Sequence, residues 1–195
     1  MPRKKSVKTA AERFTEEADG IVNFSKKVSG LQDTLQDWFF DYAIIRLYGE
    51  FETLMLDALS GAINNDATAI SSATGFSFPK HINWNVCKYL IVGKGYFDFK
   101  GRDHLIQIVK DFVPDTHYLV QVLKQRKYKD ALEKLSAFRN FAAHNSEKAK
   151  AAAKKAIGGG NLGSAGSWLK KQNRFEELAE SLKNLAKAIE RKAPY

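Results

Sequence analysis

LQDTLQDWFFDYAIIRLYGEFETLMLDALSGAI, residues 31–63, repeats apolar side chains three or four positions apart from end to end. The series is Leu31, Leu35, Trp38, Phe39, Tyr42, Ile45, Tyr48, Phe51, Met55 and Leu59. That spacing keeps side chains on one helix face for about nine turns, so it predicts a long core helix, with a break or bend somewhere inside it. No stretch of similar length alternates as a half-buried strand would. The chain therefore reads as all-α, an antiparallel helical bundle.

Shorter elements flank this helix. Residues 9–27 form a charged, moderately amphipathic helix ended near Ser29-Gly30, and 64–81, rich in Asn, Ser and Thr, read as a long loop. Asn83 is placed to cap a helix through Val92. The glycine-bracketed aromatic segment Gly93–Gly101 reads as extended. Helices are expected over 102–112, 116–125 and 127–145, and the Ala/Lys tract 148–157 either continues the last of these or frays. Gly158-Gly-Gly-Asn-Leu-Gly-Ser-Ala-Gly166 is the clear linker, after which Ser167 caps a final helix carrying Trp168, Phe175, Leu178, Leu182, Leu185 and Ile189 on one face. The expected organisation is a basic tail 1–8, a helical domain 9–157, a linker 158–166, and a hinged C-terminal helix 167–195 packing on the domain or on a partner.

At 195 residues and 44% hydrophobic, the chain is long and apolar enough to bury a core. No apolar run reaches the roughly 18 residues of a membrane span. The basic N-terminus runs into Ala11-Glu-Arg-Phe-Thr-Glu-Glu17 rather than an apolar segment, which predicts no secretory signal. One cysteine, Cys87, excludes disulfide stapling, and a reducing cytoplasm is the expected location. The net charge of +9 invites a nucleic-acid reading, but it is +4 over residues 1–8, −1 over 9–146 and +6 over 147–195. The excess lies at the two ends of a neutral body.

Several chemistries drop out on their motifs. Gly158-x-Gly160-x-x-Gly163 matches the dinucleotide fingerprint as a string, yet an Ala/Lys helix precedes it where a strand must stand. Ser164-Ala165 occupies the place of the phosphate-binding Lys-Ser/Thr of a Walker loop. His81, His104, His117, His144 and Cys87 lack zinc-ligand spacing, and no Gly-x-Ser-x-Gly elbow is present. No metal and no cofactor is expected.

One constellation survives. On an ideal helix with Leu135 at zero, Tyr128, Ala131, Leu132, Phe138 and Ala142 fall between about 300° and 60°, and Arg139 lies among them at about 40°. An always-charged guanidinium inside an apolar arc costs several kcal/mol, in order of magnitude, unless it is paired or faces a second surface. Asn140 and His144 lie at about 140° and 180°, one turn apart on the polar side.

Arg139-Asn140-Phe-Ala-Ala-His144 resembles the Arg-x4-6-His motif of the HEPN superfamily, small all-α proteins many of which are metal-independent endoribonucleases. The polar residue after the Arg and the Ala before the His match the family pattern. Ile45-Arg-Leu-Tyr-Gly-Glu50-Phe-Glu-Thr-Leu-Met55 resembles the family's earlier core helix, which often carries an acidic residue. The likeness is nearest the RiboL-PSP-HEPN branch and extends over roughly residues 31–146. The resemblance implies RNA cleavage by a homodimer whose motif helices share a cleft, in a toxin or phage-defence effector acting on tRNA or another RNA, with an antitoxin or other protein as partner. It gives His144 the role of general base or acid, Arg139 that of phosphate clamp, and Asn140 that of orienting either. Lys124, Arg126 and Lys127 stand as a phosphate track, and Glu50 and Arg46 as supporting residues.

Each assignment has a plainer counterpart. Arg139 would then be a structural ion pair with Glu50 or Asp41, His144 an ordinary histidine at a helix C-terminus, and Arg46–Glu50 an i,i+4 salt bridge. Tyr96, Phe97 and Phe99 could stack bases but more simply plug the bundle end. These readings define an alternative function, a non-catalytic HEPN-like module binding RNA, nucleotide or a protein; a helical interaction domain unrelated to HEPN is a third. The nuclease reading requires Arg139 and His144 both open to solvent, whereas the module reading has Arg139 sealed against a carboxylate of its own chain.

Overall fold

Ser6 accepts a hydrogen bond from the Thr9 backbone N–H and starts the first helix of the computed structural model, which describes residues 6–194 apart from the side chain of residue 73. Helix α1, Val7–Val28, buries Val7, Ala11, Phe14 and Ala18, the three-and-four spacing of one face. Of the predicted basic tail, residues 1–5 lie outside the described residues, and Lys8 belongs to α1.

The decisive stretch forms one helix, α2, Asp33–Asn65, without the break that the sequence suggested inside it, since no Pro interrupts its hydrogen-bond ladder. At 33 residues it runs about 50 Å, the axis on which the other elements pack. Its buried face is Phe40, Ala43, Ile44, Leu47, Tyr48, Phe51, Leu54, Met55, Ala58 and Leu59. The expected series splits here. Leu31, Leu35, Trp38, Tyr42 and Ile45 are exposed, Trp38 at 65% and Tyr42 at 66%. Around α2, Leu35, Trp38, Tyr42 and Ile45 centre near 140° from Ile44, almost opposite the buried face, and Leu31 lies just before the helix. The N-terminal half of the helix is apolar on both sides, and periodicity followed the side that faces out.

Among the described residues the remaining helices are α3 Thr68–Thr74, α4 Trp84–Val92, α5 Arg102–Lys110, α6 Tyr118–Leu123, α7 Lys129–His144, α8 Glu147–Ala156, α9 Ala165–Leu169 and α10 Arg174–Lys192, with a 3-10 turn at Arg126–Tyr128. Asn83 caps α4 as predicted, accepting from the Asn85 N–H. The predicted 64–81 loop contains α3. No strand occurs among the described residues, and no helix is long and apolar enough to cross a membrane.

Two junctions fix the C-terminal third. Asn145, at φ 43°, ends α7 in the left-handed conformation, and Ser146 caps α8 by accepting from the Ala149 N–H. The Ala/Lys tract is thus a separate helix that doubles back along α7. The linker is shorter than 158–166: Gly158, Gly159 and Gly160 all have positive φ, but Ser164 already caps α9 in a capping box with Ser167. Gly166 lies inside α9, its N–H donating to Asp41 Oδ1 at 2.6 Å, and a Cβ there would collide with the Asp37 carbonyl. Gln172 and Asn173, at φ 58° and 55°, split the predicted final helix into α9 and α10. Helix α10 packs against α1 and α2 with Phe175, Leu182, Leu185 and Ile189 sealed. The C-terminal segment is therefore part of the same core.

Candidate active site

Helix α7 delivers Arg139 against α2 and leaves Asn140 and His144 on its outer side. The guanidinium carbon stands 4.4 Å over the Tyr48 ring, and Tyr48 is stacked in turn on Phe99 at 4.9 Å and 19°. The Tyr48 hydroxyl lies 2.7 Å from Asp98 Oδ1 and 2.8 Å from the Phe99 carbonyl, and accepts from the Phe99 N–H. Burial is the chief reason that this phenol is held protonated, its pKa raised above the usual value. Arg139 donates from Nη1 to Asn140 Oδ1 at 2.8 Å, and its Nη2 is 3.7 Å from Asp98 Oδ1. A guanidinium over an aromatic face, gripped at one edge, has its fork geometry set before any ligand arrives.

Arg139 keeps 23% of its side chain exposed, and Asp98 divides its attention between Arg139 and Tyr48. His144 is exposed at the last turn of α7, one turn beyond Asn140. Arg139 and Asn140 are thus hydrogen-bonded, His144 stands one turn further on the same helix, and the guanidinium and the imidazole are both reached by solvent. The aromatic segment splits between roles: Phe97 and Phe99 are buried, while Tyr96 is 81% exposed.

The carboxylate facing Arg139 is not the one expected. Glu50 pairs with Arg46 at 2.8 Å and lies 3.8 Å from Arg13, while Arg46 also reaches Glu17 at 3.3 Å. Both predicted supporting residues serve the α1–α2 seam. Two residues along a helix turn the direction by about 200°, so Glu50 faces α1 when Tyr48 and Glu52 face α7. Asp41, the other proposed partner, is held by Gly166. Asp98, which pairs with Arg139, and Glu52 are the acids that sequence reasoning missed; the signal for Glu52 was its i,i+4 relation to Tyr48. Burial pushes its pKa up to about 7, outweighing the pull of the nearby Arg139, and its Oε1 has no hydrogen-bond partner in the protein.

A carboxyl that binds its proton more tightly in the folded than in the unfolded chain loses stabilising influence as pH rises from about 4.5 towards about 7. Glu52→Gln removes that penalty. At pH 8 it is expected to raise the melting temperature by about 2–4 °C, taking about 1 kcal/mol after solvent screening, and at pH 4 to leave it unchanged. Calorimetry across that range checks the sign; an equal shift at both pH values would exclude titration of Glu52 as its cause.

The predicted phosphate track disperses. Lys124 lies 3.6 Å from Asp115, which also holds Lys110, and Lys127 sits over the Tyr128 ring at 4.8 Å. Residues 124, 126 and 127 fan out around the 3-10 turn, and only Arg126 enters the groove of about 700 Å³ between α7 and α8 that also takes in Asn140. A second cavity, of about 790 Å³, is lined by Asp66, Phe112, His117 and Tyr118 and contains none of the motif residues. There burial pushes the His117 pKa down to about 4. Among the described residues no three of His, Cys, Asp and Glu converge on a point that would hold a metal ion. No family model, curated protein or solved structure matches this chain.

Proposed function

We propose that the chain is a metal-independent endoribonuclease of HEPN type, acting in the cytoplasm as a homodimer and suited to a toxin or phage-defence role. The observation that carries this reading is the Arg139–Asn140–His144 arrangement: a pre-oriented, partly exposed guanidinium bonded to Asn140, with an exposed imidazole one helical turn beyond that asparagine. In such a site His144 takes the proton from a ribose 2′-OH, which attacks the adjacent phosphorus. Arg139 stabilises the charge developing on the phosphoryl oxygens. The bond to the 5′-oxygen breaks, the leaving oxygen takes a proton from His144 of a second copy, and the products are a 2′,3′-cyclic phosphate and a 5′-hydroxyl.

One imidazole cannot be base and acid in the same step, so the chemistry calls for the second copy. The outward stripe of α2 supports one. Leu35, Trp38, Tyr42 and Ile45 follow a three-four-three spacing, the seam of helix-on-helix packing, and Ile45 lies within a turn of Tyr48. Trp38→Ser with Tyr42→Ser is expected to give a folded monomer by sedimentation and to lower RNA cleavage at least tenfold; full activity in a monomer would sink the shared-site mechanism. The primary test is cleavage of RNA in EDTA by the wild type and its loss in Arg139→Ala and His144→Ala. An activity that EDTA removes and both substitutions spare excludes the proposal.

The contact with Asp98 favours a second reading, in which Arg139 is a structural element of a non-catalytic HEPN-like module that binds RNA, nucleotide or a protein. That module would leave RNA intact in every variant, whichever of the three it binds.

A further inference from the structure

The groove between α7 and α8 has a composition that the motif chemistry does not require. Its floor is made of small side chains, with Ala137 on α7 facing Ala152 and Ala156 on α8. Its rim carries Lys100, Arg126, Lys129 and Lys155, all exposed. None of these four is paired with a carboxylate among the described residues. The two acids in the groove are engaged: Asp130 holds Lys134 at 2.7 Å, and Glu133 accepts from the Arg102 N–H at 3.0 Å. The cationic rim is therefore free to meet an outside anion. Asn140, the residue that grips Arg139, closes one end.

We infer that this groove is the track for the phosphate backbone of single-stranded RNA, leading the strand to the Arg139–His144 end; the assignment rests on the nuclease reading of that end. The chemistry points to a polyanion read by its backbone. None of the lining side chains is aromatic, so the groove has no platform for stacking bases. Small residues on both helices leave room for the sugar-phosphate chain, and the lysines and arginine flank it as an electrostatic funnel. From Lys129 to Asn140 the helix rises about 16 Å. The bases point outward, so binding depends on strand length and salt rather than on sequence. The track also gives part of the C-terminal charge a local purpose, since Lys155 sits on the Ala/Lys helix.

The test uses the full chain carrying His144→Ala, which keeps the RNA intact, and a fluorescently labelled 20-nucleotide oligouridylate read by anisotropy. Lys100→Gln, Arg126→Gln, Lys129→Gln and Lys155→Gln together are expected to weaken binding about 10- to 100-fold and to reduce the slope of log affinity against log salt by about 3. A control loses the same charge elsewhere, at Lys26, Lys27, Lys187 and Lys192, and is expected to bind within about threefold of the parent. Circular dichroism melting verifies both folds, and single Lys129→Gln and Lys155→Gln variants, about two- to fivefold weaker each, serve if the quadruple variant fails to fold. Equal weakening in groove and control variants overturns the track, as does tighter binding of a duplex of the same length. Cleavage by otherwise wild-type chains separates the two ideas. If the groove variant cleaves and binds like wild type, the track is wrong and the nuclease stands. If wild type never cleaves RNA yet binds it through these four residues, the nuclease reading falls and the track survives. If wild type neither binds nor cleaves, both fall.

Discussion

His144→Ala is expected to lower RNA cleavage in EDTA by about 10²- to 10⁴-fold, the range that removal of a general acid–base group produces. The melting temperature should stay within about 1–2 °C of wild type, because exposed side chains outside the core contribute little to stability. His144 meets that condition: it is exposed at the end of α7, and the turn after it is fixed by Asn145 and Ser146. Arg139→Lys is the sharper companion. A lysine keeps the charge but cannot reproduce a flat fork lying on Tyr48 with one edge on Asn140. It is expected to cost about 10²- to 10³-fold in kcat, close to the loss of an oxyanion donor. If Arg139→Lys cleaves like wild type, a mere positive charge suffices and the stacked geometry has no catalytic purpose. Single-turnover rates, read beside thermal melts of the same samples, make that decision.

Gly166→Ala should be the most damaging small change in the molecule. The added methyl group meets the Asp37 carbonyl of α2, a backbone atom that cannot swing aside, and the shift that relieves it also breaks the Gly166 N–H to Asp41 bond. Overpacking of this kind costs about 3 kcal/mol, and for a chain of this size the melting temperature should fall by about 6–12 °C. Gly20→Ala is the control. It lies on α1 with nothing within 4 Å of the new Cβ, so the same substitution should raise stability by about 0.5–1 kcal/mol. A Gly166→Ala chain as stable as wild type would mean that α9 does not sit on α2 as described.

The long helix, the Asn83 cap and the separation of Arg139 from Asn140 and His144 were legible because each depends on local spacing. What the sequence hid depends on which neighbour covers which face. The stripe Leu31–Ile45 reads as core, since period alone cannot tell the covered side of α2 from the bare one. Glu50 and Glu52 are equally plausible in the string, and only the position of α7 separates them. Asp98 comes from an extended segment with no helical period to place it. Gly166 sits in a glycine-rich run whose composition suggests freedom, yet it is the tightest contact in that run. Lys100, Lys129 and Lys155 are scattered through the chain and gather only because Asn145 turns α8 back along α7.

The packing of α10 on α1 has a consequence for how the polypeptide is strung. Lys183 reaches Asp19 at 2.7 Å, and Ser25 donates to Glu176 at 3.2 Å, so the two helices run in opposite directions. Residue pairs whose numbers sum to about 201 lie side by side, which brings the start of α1 next to the end of α10. Between Val7 and Lys192 the backbone is in effect an almost closed ring, and the exposed glycines 158–160 offer a place to reopen it. A circular permutant, joined across the old ends and begun at Gly160, would retain every helix and every interhelical contact described above, with the order of the elements rotated.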